Sequence, residues 1–389
     1  MSTQSSKRAK RAGILGMGMW VSEDVRTNDA WPSSFVSAFQ RERVARRERD
    51  FTFIEATNDR RPYDDLFVKH ALPYDDDPFK GATVRRLTSP EIPTAVCDAR
   101  ALTRALRDAR LEPREVSYVL SSALVPDRLA PSNGPAIAHH AGCGDVPGIG
   151  VEGFCSSAAM QLEIAAALVE SGRARVVACV QSHHIGRLND LEGATSPIFG
   201  DASTAFLVGE VPEERGLSHV VRGGDGSLAG GVTYTHKDRN DAPWYAGDAG
   251  AIVPGTHDPA AARTIARHAL HYPIETIREL CRVAELPIDA VAAVATMQPM
   301  VWYAPAIAEG LGISHERVPT TYASFAHIGG CAPVANLLEA RRRGLLRSGS
   351  PVVLYAHGAG LTRYAALLRW HCGHSTPIEN AGGNHPLET

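Results

Sequence analysis

Apolar and polar residues follow two periods along this chain, and segments of each period take turns. Ala12 to Val21 is an apolar run broken by glycines and predicts a first strand. From Pro93 to Arg110 the apolar residues Ala95, Ala99, Leu102, Ala105 and Leu106 recur on one helical face. Val116 to Ala123 predicts a buried strand, Pro131 to Ala141 a helix after a Pro-Ser-Asn start, and the alanine-rich run behind Cys155 a helix that ends at Ser171-Gly172. Strands follow at 176–180 and 203–209. The second half repeats this logic. It predicts a helix over 260–284, a strand over 291–296, a helix over 303–311 and a loop over 325–330. A helix over 333–343 comes next, stopped by Gly344, and strands at 351–355 and 364–370 flank Gly358-Ala359-Gly360. Alternation of strand and helix predicts an α/β fold with layered sheets, and the similar element order of the two halves suggests an internal duplication.

One stretch differs in kind. Gln40 to Arg49 is a charge run, read as a solvated helix face, and the next thirty or so residues are rich in Asp, Pro and aromatics. The segment from about 40 to 80 reads as an insertion or lid, or as an interaction arm. The 389 residues suffice for two domain-sized halves. A net charge of −3 argues against nucleic-acid binding through bulk charge. No apolar run is long enough to span a membrane. Residues 1–11 and 373–389 read as tails, and the polar, basic start lacks the apolar core of a secretory signal. The seven cysteines are scattered and contain no C-x-x-C pair, which fits a reduced cytoplasmic protein and no metal site.

The candidate chemistry centres on Cys155, at the first turn of its helix. The positive end of the helix dipole and the unpaired N–H groups there favour thiolate, the nucleophilic form. The bland alternative is a small buried hydrophobe. Gly13, Gly16 and Gly18 do not form a dinucleotide-binding pattern. His183 and His184 are adjacent on a strand and point to opposite faces, so they do not ligate one metal together. Asp201 reads as structural, and His139-His140 as part of a surface helix.

Four segments stand in one order: the Cys155 helix, the Gly200–Gly209 strand, the His327-Ile-Gly-Gly330 loop with its helix, and the Gly358-Ala359-Gly360 turn before a last strand. With Thr27-Asn28-Asp29, Gly81-Ala-Thr-Val-Arg85-Arg86 and the Leu337–Trp370 end, this order resembles the thiolase superfamily, and within it β-ketoacyl-acyl-carrier-protein synthase III and its relatives. The resemblance covers about residues 12 to 372. It implies a duplicated five-layer α-β-α-β-α sandwich with halves at 12–215 and 216–372, a homodimer, and Cys155 as nucleophile. Other positions depart from the pattern. Met297 stands where the family carries a histidine, followed by a retained Gln298, and His327 stands where it carries an asparagine. The site then reads Cys–Met–His.

Methionine donates no hydrogen bond, so one of the two donors that decarboxylative condensation uses is missing. Losing one such donor costs about 100- to 1,000-fold in rate. Cys155 and His327 remain a nucleophile–base pair, which implies acyl transfer to an oxygen, nitrogen or sulfur acceptor rather than carbon–carbon bond formation. The alternatives are a decarboxylative synthase and a catalytically silent partner subunit. Met297 reads as packing. Gln298 either replaces the missing donor or turns away. The resemblance implies an oxyanion site built from the backbone N–H groups of Cys155 and Gly360. It also implies an acyl-coenzyme A or phosphopantetheinyl carrier-protein substrate, no permanently bound cofactor, a possible acyl-carrier-protein partner, and a role in specialised metabolism. Arg85, Arg86, Arg187 and Lys237 are candidates to meet phosphates, each equally readable as surface charge.

Overall fold

A computed structural model describes residues 11–42, 61–188, 196–239, 241–247 and 250–371. Residues 1–10 of the first tail, the second tail, Cys372 and most of the charge run lie outside these residues, while Arg11 opens the first strand instead of ending a tail. The strands are β1 (Arg11–Trp20), β2 (Val25–Thr27), β3 (Val84–Arg86), β4 (Tyr118–Ala123), β5 (Gly148–Gly150), β6 (Val176–His183), β7 (Ala202–Val211), β8 (Gly216–Gly224), β9 (Thr233–His236), β10 (Ile252–Gly255), β11 (Ala293–Thr296), β12 (Pro351–Gly358) and β13 (Thr362–Arg369). The helices are α1 (Asp64–Ala71), α2 (Thr94–Ala109), α3 (Gly134–His140), α4 (Ser157–Glu170), α5 (Pro259–Arg267), α6 (His271–Val283), α7 (Tyr303–Leu311), α8 (Tyr322–Phe325) and α9 (Ala332–Arg342).

Two sheets carry the duplication. The first has the order β1-β7-β6-β4-β5 and the second β11-β12-β13-β8. Read from β1, the first pairs antiparallel, antiparallel, then parallel. Read from β8, the second does the same. In each half the opening strand pairs with the closing one. Helix α2 covers the outside of the first sheet and α6 the outside of the second, while α4 and α9 touch strands of both. The layers are therefore α-β-α-β-α, as the resemblance implies. Both inner helices are buried around most of their circumference, α9 from Ala332 through Ala340 without a break. That is why α4 reads as alanine-rich: small side chains let a helix sit between two sheets.

Three expectations shift. The helix expected over 260–284 is two helices, because Pro273 lacks an N–H and its ring would clash with the carbonyl four residues back. Strand β8 and the β9–β10 hairpin have no counterpart in the sequence reading. Within the segment from 40 to 80, α1 is docked on the second half. Phe67 meets the Trp302 ring edge-on at 5.3 Å, and the Tyr63 hydroxyl meets Glu275 and Arg278. The exposed Lys69–Glu309 pair at 2.7 Å adds little to this docking.

Candidate active site

The starts of the two inner helices meet end to end. Each opens with one turn of 3-10 helix, Phe154–Ser156 before α4 and Gly329–Cys331 before α9. A Cβ on Gly330 would lie 3.0 Å from the Phe154 carbonyl oxygen and 3.9 Å from the Cys155 Cα, so a side chain there would crowd the nucleophile turn.

Local chemistry shapes that turn. Phe154 is held at φ +56°, a left-handed conformation costly for a non-glycine residue. The Phe154 N–H donates to the Glu152 carboxylate at 2.6 Å. The Ser157 hydroxyl donates to the Phe154 carbonyl at 2.7 Å and accepts the Gly153 N–H at 3.0 Å. The Ser156 hydroxyl donates to the Gly153 carbonyl at 2.6 Å. The two serines behind Cys155 thus fix the bend that presents its thiol.

Cys155 Sγ lies 3.8 Å from His327 Nε2. His327 is anchored through its backbone, its N–H donating to the Ile198 carbonyl and its carbonyl accepting from Gly200. Its ring closes a three-ring cluster with Phe199 and His183, at 5.5 and 5.6 Å between centroids, the other two rings also lying 5.6 Å apart. Nδ1 lies 2.9 Å from the Gln298 carbonyl oxygen. A carbonyl only accepts, so Nδ1 carries the hydrogen and Nε2 presents a lone pair to the thiol. Burial lowers His327 to a pKa of about 4.

The expected thiolate at rest is corrected by the same burial. Desolvation, with Glu152 adding to it, pushes the Cys155 thiol up to about 12. The helix start is in place, but it is enclosed between two sheets. The resting pair is neutral thiol and neutral imidazole. The rate of Cys155 acylation is therefore expected to stay level from neutral pH down to about pH 5 and to fall below that, as His327 takes up a proton and ceases to be a base. A pH series of adduct formation checks this; an inflection near the ordinary imidazole value would contradict it.

Met297 is buried in the core beside β12, its N–H donating to the Tyr355 carbonyl at 3.1 Å, which is the packing role expected. Gln298 as replacement donor is corrected. Its amide nitrogen donates to the Pro319 carbonyl at 2.8 Å, and its side-chain oxygen accepts from the Thr320 hydroxyl and the Thr321 N–H. The side chain braces the 319–321 loop, and its backbone carbonyl holds His327.

Gly358 closes the site from the β12 side. A Cβ there would fall 2.0 Å from the Gly153 carbonyl oxygen. Gly358→Ala is expected to push the nucleophile turn aside, to cost about 1–3 kcal/mol of stability, and to slow acylation. Thermal unfolding and adduct kinetics check it. Gly360, at φ +119°, adopts a backbone that glycine takes readily.

Arg85 and Arg187 are corrected as phosphate candidates. Arg85 is fully buried, stacked over Trp31 and Phe79, with Nε on the Pro197 carbonyl at 2.6 Å. Arg187 ties the Thr94 hydroxyl at 2.8 Å and the Ile92 carbonyl. Arg86 reaches the Ser22 carbonyl, and Lys237 is exposed. His183 and His184 do face opposite ways: His183 lies on the Gly200 carbonyl beside His327, and His184 lies between Thr88 and Ser203. Among the described residues no cluster of ligands suits a metal ion. Asp201 accepts from the Thr88 and Gly186 N–H groups, a structural role.

Sequence reasoning missed His357. It is buried at the end of β12, with Nδ1 lying 3.1 Å from the Tyr355 hydroxyl and 3.5 Å from that of Tyr303. A signal was available: Tyr355 and His357 share one face of a strand made otherwise of Pro, Val, Leu, Ala and Gly.

Comparison with known proteins matches two regions to family models. Residues 150–226 match 3-oxoacyl-[acyl-carrier-protein] synthase III and residues 281–370 its C-terminal model. The chain is 30% identical over 280 residues to β-ketoacyl-[acyl-carrier-protein] synthase III 3 of Streptomyces coelicolor, covering 69% of this chain and 81% of that one. It is 27% identical over 294 residues to the synthase III of Rhodospirillum rubrum, covering 74% and 88%. Among solved structures, the synthase III of Thermus thermophilus superposes with a TM-score of 0.70 at 25% identity, covering 92% of this chain and 99% of that one. The synthase III of Pseudomonas aeruginosa superposes at 0.73 with 19% identity, covering 94% and 100%.

Proposed function

Because this chain belongs to the 3-oxoacyl-[acyl-carrier-protein] synthase III family, and so is a thiolase-fold enzyme of the transferase class, we propose that it moves an acyl group through Cys155 to an oxygen, nitrogen or sulfur acceptor. The observation that carries the reading is the tautomer of His327. With Nδ1–H held by the Gln298 carbonyl, Nε2 is a base and has no hydrogen to donate to a developing enolate oxygen. With Met297 at the other position, the two side-chain donors of a condensing site are both gone.

In the first half-reaction Cys155 Sγ attacks the thioester carbonyl as its proton passes to His327 Nε2. The new sulfur–carbon bond forms, the donor's carbon–sulfur bond breaks, and the leaving thiolate takes the proton from His327. In the second half, the acceptor gives its proton to His327 and attacks the acyl carbon. Cys155 then leaves as thiolate and is reprotonated. The carbonyl oxygen, negative in each tetrahedral intermediate, is held by the N–H groups of Cys155 and Gly360. The donor is acyl-coenzyme A or an acyl carrier protein, the assembly a homodimer in the cytoplasm, the setting specialised metabolism, and the halves divide near residue 215.

The test is to offer acyl-enzyme malonyl-coenzyme A. No carbon dioxide above the buffer rate and no 3-oxoacyl product are expected. Release of both would contradict acyl transfer in favour of condensation.

A further inference from the structure

His357 is an unassigned imidazole at the end of β12, the strand that packs against the Phe154–Ser156 turn. It is 93% buried, being 7% exposed. Three observations place it at the site. Strand β12 runs parallel to β11 with Tyr355 paired to Thr296, so His357 emerges next to the point where the chain carries Met297. Its neighbour Gly358 abuts the Gly153 carbonyl at the base of the nucleophile turn. Tyr303, whose hydroxyl reaches toward His357, feels the charge of Cys155, and His357 feels that of His327.

Hydrogen-bond accounting fixes its tautomer. The Tyr303 and Tyr355 hydroxyls are buried and both point at Nδ1, which is their one recorded partner among the described residues. One lone pair accepts one hydrogen bond, and the Tyr355 hydroxyl is the nearer donor; if Nδ1 carried a hydrogen, that phenolic hydrogen would have no acceptor. Nδ1 is therefore the lone pair and Nε2 carries the hydrogen. Burial keeps the ring neutral around pH 7. Among the described residues nothing hydrogen-bonds to Nε2. The two imidazoles thus have opposite tautomers: His327 offers an acceptor, His357 a donor.

We propose that His357 is the acceptor-orienting residue of this site, its Nε2–H holding an oxygen of the incoming acyl acceptor while His327 takes the acceptor's proton. The inference rests on the acyl-transfer reading above. It assigns the substrate class: an acceptor that bears, close to its attacking atom, an oxygen able to accept a hydrogen bond. The acyl carbonyl already has its backbone donors, so the acceptor is the partner left for Nε2–H. The donor missing at position 297 is thereby supplied from the next strand, but aimed at a different substrate. Tyr355 and Tyr303 are its positioning residues.

The experiment separates the two half-reactions. Acetyl-Cys155 is formed with acetyl-coenzyme A, then discharged by 2-methoxyethanethiol, which carries an ether oxygen, or by the isosteric 1-butanethiol, which carries none. The wild-type protein, His357→Phe and His357→Gln are compared by intact mass over time. All three are expected to acetylate at the same rate. Discharge by 2-methoxyethanethiol is expected to fall about tenfold or more in His357→Phe and to recover partly in His357→Gln, which keeps an N–H, while discharge by butanethiol stays level. Equal discharge in wild type and His357→Phe would overturn the proposal, and so would a parallel fall with both thiols, which marks a merely structural role. Absence of any acetyl adduct in the wild type would instead remove the acyl-transfer reading itself.

Discussion

Replacing Cys155 by alanine is expected to abolish the acyl adduct and to lower turnover by about 10⁴-fold or more, since a nucleophile has no substitute in a covalent mechanism. The fold should survive. Cys155 packs in the main core, and removing one sulfur leaves a small cavity worth about 1 kcal/mol. The check is intact mass after incubation with acyl-coenzyme A, with circular dichroism to establish folding. A variant that folds, and turns over as the wild type does, would mean that Cys155 is a structural hydrophobe and not the nucleophile.

His327→Phe carries the second largest effect. The phenyl ring replaces one member of the three-ring cluster with Phe199 and His183, so packing is largely kept. The Gln298 carbonyl loses its N–H partner, costing about 1–3 kcal/mol. Loss of the base should slow acylation by about 10³-fold. Unlike the Cys155 variant, this one keeps a nucleophile, so an adduct should accumulate slowly. Its rate should climb with pH, because hydroxide then removes a thiol proton that is lost only near pH 12. Rapid-quench acylation at several pH values measures this. A rate equal to wild type at pH 7 would show that His327 is only a core residue.

Much of this arrangement was legible in the chain because it is local. A cysteine ahead of an alanine-rich helix, and a histidine in a glycine loop ahead of another, are short patterns, and the fold brings the two helix starts together. Burial is not local. The helix dipole at Cys155 can be read from sequence, but the two sheets that enclose it cannot, so the thiol's resting state came out reversed. Gln298 shows the same limit from the other side: its residue type suggested a donor, while the 319–321 loop, more than twenty residues on, takes up its amide. His357 escaped because it completes a strand, where one polar residue among apolar ones reads as an irregularity. Its meaning depends on Tyr303, fifty-four residues earlier. The segment from 40 to 80 was legible as different in kind, but its docking through Phe67 onto Trp302 was not, because the contact joins segments far apart in the chain.

The central claim is an acyl group resting on Cys155. It is tested most directly by the intact mass of the wild-type protein after exposure to acyl-coenzyme A donors from acetyl to dodecanoyl, with peptide mapping of the adduct. The account predicts a mass increase of one acyl group, located on Cys155 and removed by hydroxylamine. No increase with any donor, or an adduct mapped to another residue, would contradict it.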